Sequence, residues 1–168
     1  MTATKAKQMP NWVFIWGTGA LGIAFLLGGA LMIYQGNHTR NEAIESLRAE
    51  KLEVQDPEIL LTYENARAPE GVEVPTVVID TAMEADAQAR VIRVHTLSST
   101  GGLTYSEMGR EDPGRELYLT SLTLQSTLHL AHASLEITRL VLGIGSAFAG
   151  LGFFIIFLGL PLVRRVLA

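Results

Sequence analysis

VFIWGTGALGIAFLLGGALMIY (Val13–Tyr34) and LVLGIGSAFAGLGFFIIFLGLPLV (Leu140–Val163) contain no Asp, Glu, Lys or Arg. At a helical rise of about 1.5 Å per residue, these 22 and 24 residues extend ~33 and ~36 Å. The hydrocarbon core of a bilayer is about 30 Å thick, so each run is long enough to cross it. Trp12 and Trp16 at one end of the first run, and Tyr34 at the other, suit the interfacial layers. The first run exceeds the ~7–15 apolar residues of a signal-peptide core, and no A-x-A site follows it. It is therefore expected to be a signal anchor.

Charge divides the chain the same way. The segment 35–139 holds all 17 acidic residues and 9 of the 13 Lys and Arg, a formal charge of −8. The tails 1–12 and 164–168 carry Lys5, Lys7, Arg164 and Arg165 and no acid. Basic tails with an acidic middle predict cytoplasmic termini and an extracytoplasmic centre. The negative centre argues against nucleic acid as a partner. With no cysteine, disulfides, thiolate catalysis and cysteine-metal sites are excluded.

The expected fold class is an all-α membrane protein. Two transmembrane helices, 13–34 and 140–163, bracket a small, mainly helical domain over 35–139, whose last part, 113–139, continues into the second span. Gly36 would end the first span, with Asn37 and His38 turning. Thr39-Arg-Asn-Glu42 then has capping-box form ahead of Ile44, Leu47, Lys51 and Val54, predicting a helix over about 40–53 that stops before Pro57. One or two helical turns are expected over 58–66. The β-branched run 72–80, after Pro69, Gly71 and Pro75, should be extended.

Thr81-Ala-Met-Glu84 predicts a helix over about 82–98, stopped by Gly101-Gly102. Thr104 and Glu107 would cap a further short helix. Asp112-Pro113 places an N-cap before a proline at the first helical position. Nothing then interrupts the pattern until Pro161. On this long helix Leu117, Leu124, Leu128, Ala131, Leu135 and Thr138 share one face, flanked by Arg115, Gln125 and Arg139.

Gly17-Thr-Gly19-Ala-Leu-Gly22 matches the G-x-G-x-x-G pattern of dinucleotide sites. That pattern functions only between a strand and a helix, whereas here it lies inside an apolar span whose backbone bonds are internal. No nucleotide is expected. Gly17, Gly19, Gly22, Gly28 and Gly29 instead make a smooth helix surface. Gly143, Gly145, Ser146, Ala147, Ala149 and Gly150 supply small-xxx-small pairs on the second span. In lipid, apolar side chains gain little by meeting, so helices associate where small residues let them approach closely.

His129, His132 and Glu136 recur at spacings that share a helix face, and two imidazoles with a carboxylate are metal-ligand types. Ligands two turns apart on one helix seldom converge on one ion, so interfacial hydrogen bonding or partner contact is the expected role. His95 would be a third imidazole if the preceding helix packs alongside. No catalytic triad, phosphate loop or intramembrane charge is present, so the chain is not expected to be an enzyme or to hold a cofactor of its own.

The stretch HTLSSTGGLTYSEMGREDP (His95–Pro113) resembles a segment of small two-pass bacterial membrane proteins, chiefly actinobacterial, of unassigned role. The similarity extends through the second span and faintly to Lys51–Asp56. Some members carry the label of aromatic-ring-opening dioxygenase, but no cupin-like or extradiol-type barrel can be built from these helices. The resemblance implies a structural elbow, in which Gly101-Gly102 ends one helix, Thr104 and Glu107 cap the next and Asp112-Pro113 start the long one.

The function expected from these features is a non-catalytic accessory subunit of a larger integral-membrane complex of the energy-transducing kind. Its partners would be other membrane subunits and the lipid bilayer, and it could contact lipid, pigments or cofactors that those subunits hold. The alternatives are a homo-oligomeric envelope or sensor module with an acidic outer binding domain, and a small metal-binding membrane enzyme built on His129, His132 and Glu136.

Overall fold

The computed structural model describes residues 10–49 and 53–167. Lys5, Lys7 and Lys51, on which parts of the charge and helix readings rest, lie outside the described residues. The chain is mostly helical, and two of its helical stretches, Asn11–Ala49 and Gly114–Val166, are long and apolar enough to cross a membrane. Over its described residues the chain divides into two compact units, one lying within Met1–Asn37 and Arg139–Ala168 and one within His38–Thr138.

The first unit pairs the N-terminal part of α1 (Asn11–Ala49) with the C-terminal part of α4 (Gly114–Phe154) and with α5 (Leu160–Leu167). Gly22 meets Ile155 and Ile156, Gly29 meets Gly145 and Ala149, and Gly36 meets Leu142, so the two run antiparallel. The buried positions of α1 are Gly22, Gly29 and Gly36, one every seven residues. Phe25 and Phe148 add an edge-to-face pair across the same seam, with ring centroids 5.4 Å apart. Most other residues of the two spans are apolar and wholly or partly exposed. Leu27, Leu31, Leu140, Phe153 and Leu158 are all more than half exposed. Such a surface is too large for a water-soluble monomer and suits a lipid solvent.

One expectation about these helices needs correction. Gly36 does not end the first helix, and Thr39 to Glu42 caps nothing, because α1 continues unbroken to Ala49. The missing side chain at Gly36 serves close approach to Leu142 rather than a left-handed turn. Beyond it no proline intervenes, and His38 pairs with Glu42 one turn on at 3.3 Å. Pro161 lies inside the second span, whose expected bounds of 140–163 run past it. Residues Ile155–Gly159 widen into a π-helical turn and α5 carries on to Leu167. Proline lacks an N–H and clashes with the carbonyl four residues back, and a widened turn just before it relieves both defects.

The second unit contains a small two-stranded antiparallel sheet. β1 (Glu53–Gln55) pairs with β2 (Thr76–Val78) in the register Val54 to Val77. The helix expected to reach Glu53 is therefore extended at its last residue, and the all-α description needs this amendment. α2 (Pro57–Leu60) begins at Pro57, with the Asp56 carboxylate accepting from the N–H groups of Glu58 and Ile59. A 3₁₀ turn follows at Glu64–Ala66.

α3 (Ala82–Ser99) starts on a complete capping box. The Thr81 hydroxyl accepts from Glu84 N–H, and the Glu84 carboxylate accepts from Thr81 N–H. Its small residues let it pack on two sides at once. Ala85 and Ala89 join Ile79 and Leu128 in one buried cluster, and Val91 joins Leu60, Ala66 and Val74 in another.

The buried face of α4 in this unit is Gln125, Leu128, Leu135 and Thr138, while Leu117 and Leu124 are exposed. The expected stripe is thus right from Leu128 onward and one position out at its start. There Gln125, 8% exposed, takes the inward place.

Candidate functional site

The seam of the first unit depends on glycine for backbone contact rather than side-chain contact. A Cβ added at Gly29 would lie 2.5 Å from the backbone nitrogen of Ala149 and 2.6 Å from the carbonyl oxygen of Gly145. One added at Gly152 would lie 2.5 Å from Leu26 N and 2.7 Å from Gly22 O. Neither clash can be relieved by turning a side chain. Of the residues read as packing positions, Gly22, Gly29, Gly145 and Ala149 meet here. Gly36 and Gly152 meet here too, although their signal was misread or overlooked. Both fall seven residues from a neighbouring seam glycine, a period that would have found them.

The remaining small residues look elsewhere. Gly17, Gly19, Gly28, Gly143 and Gly150 have nothing within 4 Å of a Cβ position. Ser146 and Ala147 are exposed, and the Ser146 hydroxyl donates to the Leu142 carbonyl at 2.8 Å. By helical phase, Gly143, Ala147 and Gly150 lie on the side of α4 opposite Gly145 and Gly152. One flank of this helix is covered by α1 and the opposite flank is equally smooth and open.

In the second unit the elbow between α3 and α4 is held by a dense set of local bonds. Gly101 and Gly102 both take positive φ, 63° and 82°, and Gly102 N–H donates to Leu97 O at 2.7 Å, a Schellman ending. Thr104 and Glu107 form a single turn rather than a capped helix. The Glu107 carboxylate accepts from both the hydroxyl and the N–H of Thr104, at 2.6 and 2.8 Å. The Thr104 hydroxyl, followed by its N–H, holds Glu107 below the usual carboxylate range. With that hydroxyl turned to the carboxylate, Glu107 N–H donates instead to the Thr104 carbonyl at 3.0 Å, which closes the turn. Asp112 Oδ1 accepts from Gly114 N–H at 2.8 Å and starts α4 one residue beyond Pro113.

Arg115, expected only to flank the long helix, closes this elbow. Its Nη1 donates to the carbonyls of Tyr105 and Met108 at 3.0 and 2.9 Å, and its guanidinium lies 3.8 Å from the Tyr105 ring centroid. One planar cation thus binds carbonyls and an aromatic face together. Sequence pattern carried no signal for it, since its partners are reached only when the elbow folds back.

The histidines do not converge. His132 Nδ1 is 2.9 Å from Ala82 O, and His129 Nδ1 is 3.7 Å from Asp86 Oδ1. Asp86 also binds Arg90 one turn along α3 at 2.6 Å. His95 lies on α3 but turns away from α4, with Nε2 3.1 Å from Ala66 O. Since a carbonyl only accepts, these nitrogens of His132 and His95 carry hydrogen. Glu136 is exposed. Among the described residues no three His, Asp or Glu side chains are grouped to hold an ion. His132 instead ties α4 to the start of α3, with His129 close to Asp86.

A polar cleft of about 640 Å³ adjoins His95, lined also by Gln55, Glu64, Arg67, Ser98 and Ser99. Its rim includes two successive non-glycine residues with left-handed backbone, Asn65 at φ 57° and Ala66 at φ 53°. Asn tolerates this conformation, whereas Ala does so at a cost of order 1 kcal/mol. The turn is held by Ala66 being buried against Leu60 and Val91 and by its carbonyl bonding to His95. Sequence reasoning had no cue to this cleft, because its lining comes from three separated segments.

Comparison of the chain with protein-family models, with curated proteins and with solved structures finds no match in any of the three.

Proposed function

We propose that this chain is a non-catalytic accessory subunit of a larger integral-membrane complex, with both termini cytoplasmic and the acidic unit outside. The observation that carries this reading is the open small-residue flank of α4, Gly143, Ala147 and Gly150, opposite the glycine seam already filled by α1. Small residues in a lipid-embedded helix lower the barrier to backbone approach by another helix. A chain with two such flanks and one partner of its own has room for a foreign helix. The Ser146 hydroxyl on this span supports the reading, since it donates to the Leu142 carbonyl one turn back and leaves no unmet donor.

Energy-transducing assemblies (respiratory, photosynthetic or membrane monooxygenase) are the favoured class, in which the chain would pack at the periphery beside cofactors held by others. Kinship with the small two-pass bacterial proteins that His95–Pro113 resembles is part of the same proposal. The test is co-purification from native membranes under mild solubilisation, with mass spectrometry of what accompanies the chain. Hetero-adducts that disappear in Ala147→Ile but persist in Ala133→Ile support the reading. Recovery of a free monomer only would refute it.

The polar cleft favours a second reading, a homo-oligomeric envelope or sensor module that binds a small polar ligand or peptide there. Crosslinking in native membranes separates the two, since self-adducts alone favour the sensor module.

A further inference from the structure

The polar cleft of the second unit has two unlike walls. One is the loop that runs from the 3₁₀ turn Glu64–Ala66 into Arg67. The other is the last part of α3, where His95, Ser98 and Ser99 recur at i, i+3 and i+4 and so share a helix face. Gln55, at the end of β1, completes the lining. A volume of about 640 Å³ falls within the range of small-molecule sites.

The loop wall carries one acid and one base, Glu64 and Arg67, on either side of the left-handed pair Asn65 and Ala66. The Arg67 N–H donates to the Glu64 carbonyl at 3.4 Å, yet among the described residues neither charged group has an ion-pair partner. The side chains of Gln55, Ser98 and Ser99 are likewise unbonded to described residues. Elsewhere in the unit Arg48 and Arg90 are held by carboxylates and Arg115 by carbonyls. Exposed charges without partners are ordinary on a protein surface, and a left-handed turn is not a site by itself. Here the two coincide. The left-handed Ala66, bonded through its carbonyl to His95, fixes the backbone between the two charges, and both line a concave surface with two serines. Such a lining selects by charge. An anion drawn to Arg67 is opposed by Glu64, a cation drawn to Glu64 is opposed by Arg67, and a molecule carrying both signs is opposed by neither.

We propose that the cleft binds a small zwitterion of the amino-acid class, with its ammonium beside Glu64 and its carboxylate on Arg67. Guanidinium takes a carboxylate in bidentate fashion, and the hydroxyls of Ser98 and Ser99 bond the ligand from the helix side. A free amino acid and a short peptide present the same two groups. The inference rests on the second reading above, in which the cleft is a ligand site, and is independent of the accessory-subunit reading.

The test is calorimetric titration of the full chain in detergent micelles with alanine and with trialanine, each compared with its N-acetyl and C-amide forms. At least one zwitterion is expected to bind in the millimolar range. Blocking either of its ends should weaken binding about tenfold, as the loss of one charge-assisted hydrogen bond does. Binding of alanine alone identifies a free amino acid, and binding of trialanine alone a peptide. Glu64→Gln should accept the N-acetyl form as well as the zwitterion, and Arg67→Gln should do the same for the C-amide form. Both side chains are exposed, so neither change disturbs the core. Equal binding of blocked and unblocked probes, unaltered discrimination in the two variants, or no binding of either zwitterion would overturn the proposal. Self-crosslinking tests the second reading separately, so failure of this ligand class is distinguishable from failure of that reading.

Discussion

Thr104 and Glu107 show how a single hydroxyl redirects a local motif. In Thr81 to Glu84 the threonine oxygen accepts from backbone and a helix follows, whereas in Thr104 to Glu107 it donates to the carboxylate and a turn results. The two motifs share a sequence pattern, so pattern alone cannot separate them. Their pH behaviour differs with the bonding. The Glu107 carboxyl is held low, so its contribution to the elbow is complete above the ordinary carboxylate range and is lost as pH falls through the lowered value. Thr104→Val should return Glu107 toward the ordinary range, read by carboxyl-carbon NMR titration of the protein in micelles. An unmoved titration in that variant would mean the hydroxyl is not the cause.

At the scale of elements, the seam distinguishes residues that look alike in the sequence. Gly28 and Gly29 are neighbours with the same propensity, yet only Gly29 faces backbone across the seam. Gly29→Val should force the helices apart and cost about 2–3 kcal/mol, the range for overpacking a tight contact. Gly28→Val should leave the pairing intact. A cysteine pair placed across Phe25 and Phe148 reports this, with disulfide yield falling in the first variant and unchanged in the second. The spans themselves, α3 with its capping box and the glycine stop at 101–102 were all legible from composition and spacing. The continuation of α1 through Gly36 was not. Whether a glycine turns a chain or lets a neighbour in depends on whether a neighbour is there.

For the molecule as a whole, two units with different surfaces imply two different stabilising forces. The second unit relies on burial from water, concentrated in small clusters around Leu128 and Val91. The first relies on close packing within a surface that stays apolar outside. Urea acts chiefly on the former, so denaturation in detergent should proceed in two steps, with loss of the second unit before the spans separate. Leu128→Ala, which empties a site only 3% exposed, should move the first step by about 3 kcal/mol and leave the second where it is. A single cooperative transition seen by both circular dichroism and interhelical crosslinking would contradict this division.

Runs without charge, their lengths and the sign of what lies between them determined that this chain has two helices able to cross a membrane around an acidic centre. Those properties are one-dimensional, since the free energy of placing a helix in lipid is close to a sum over its residues. Which glycines touch, where the histidines point, how Arg115 closes the elbow and where the clefts open were decided only in three dimensions. Each of these depends on atoms brought together from distant parts of the chain, within distances that no spacing along the sequence encodes.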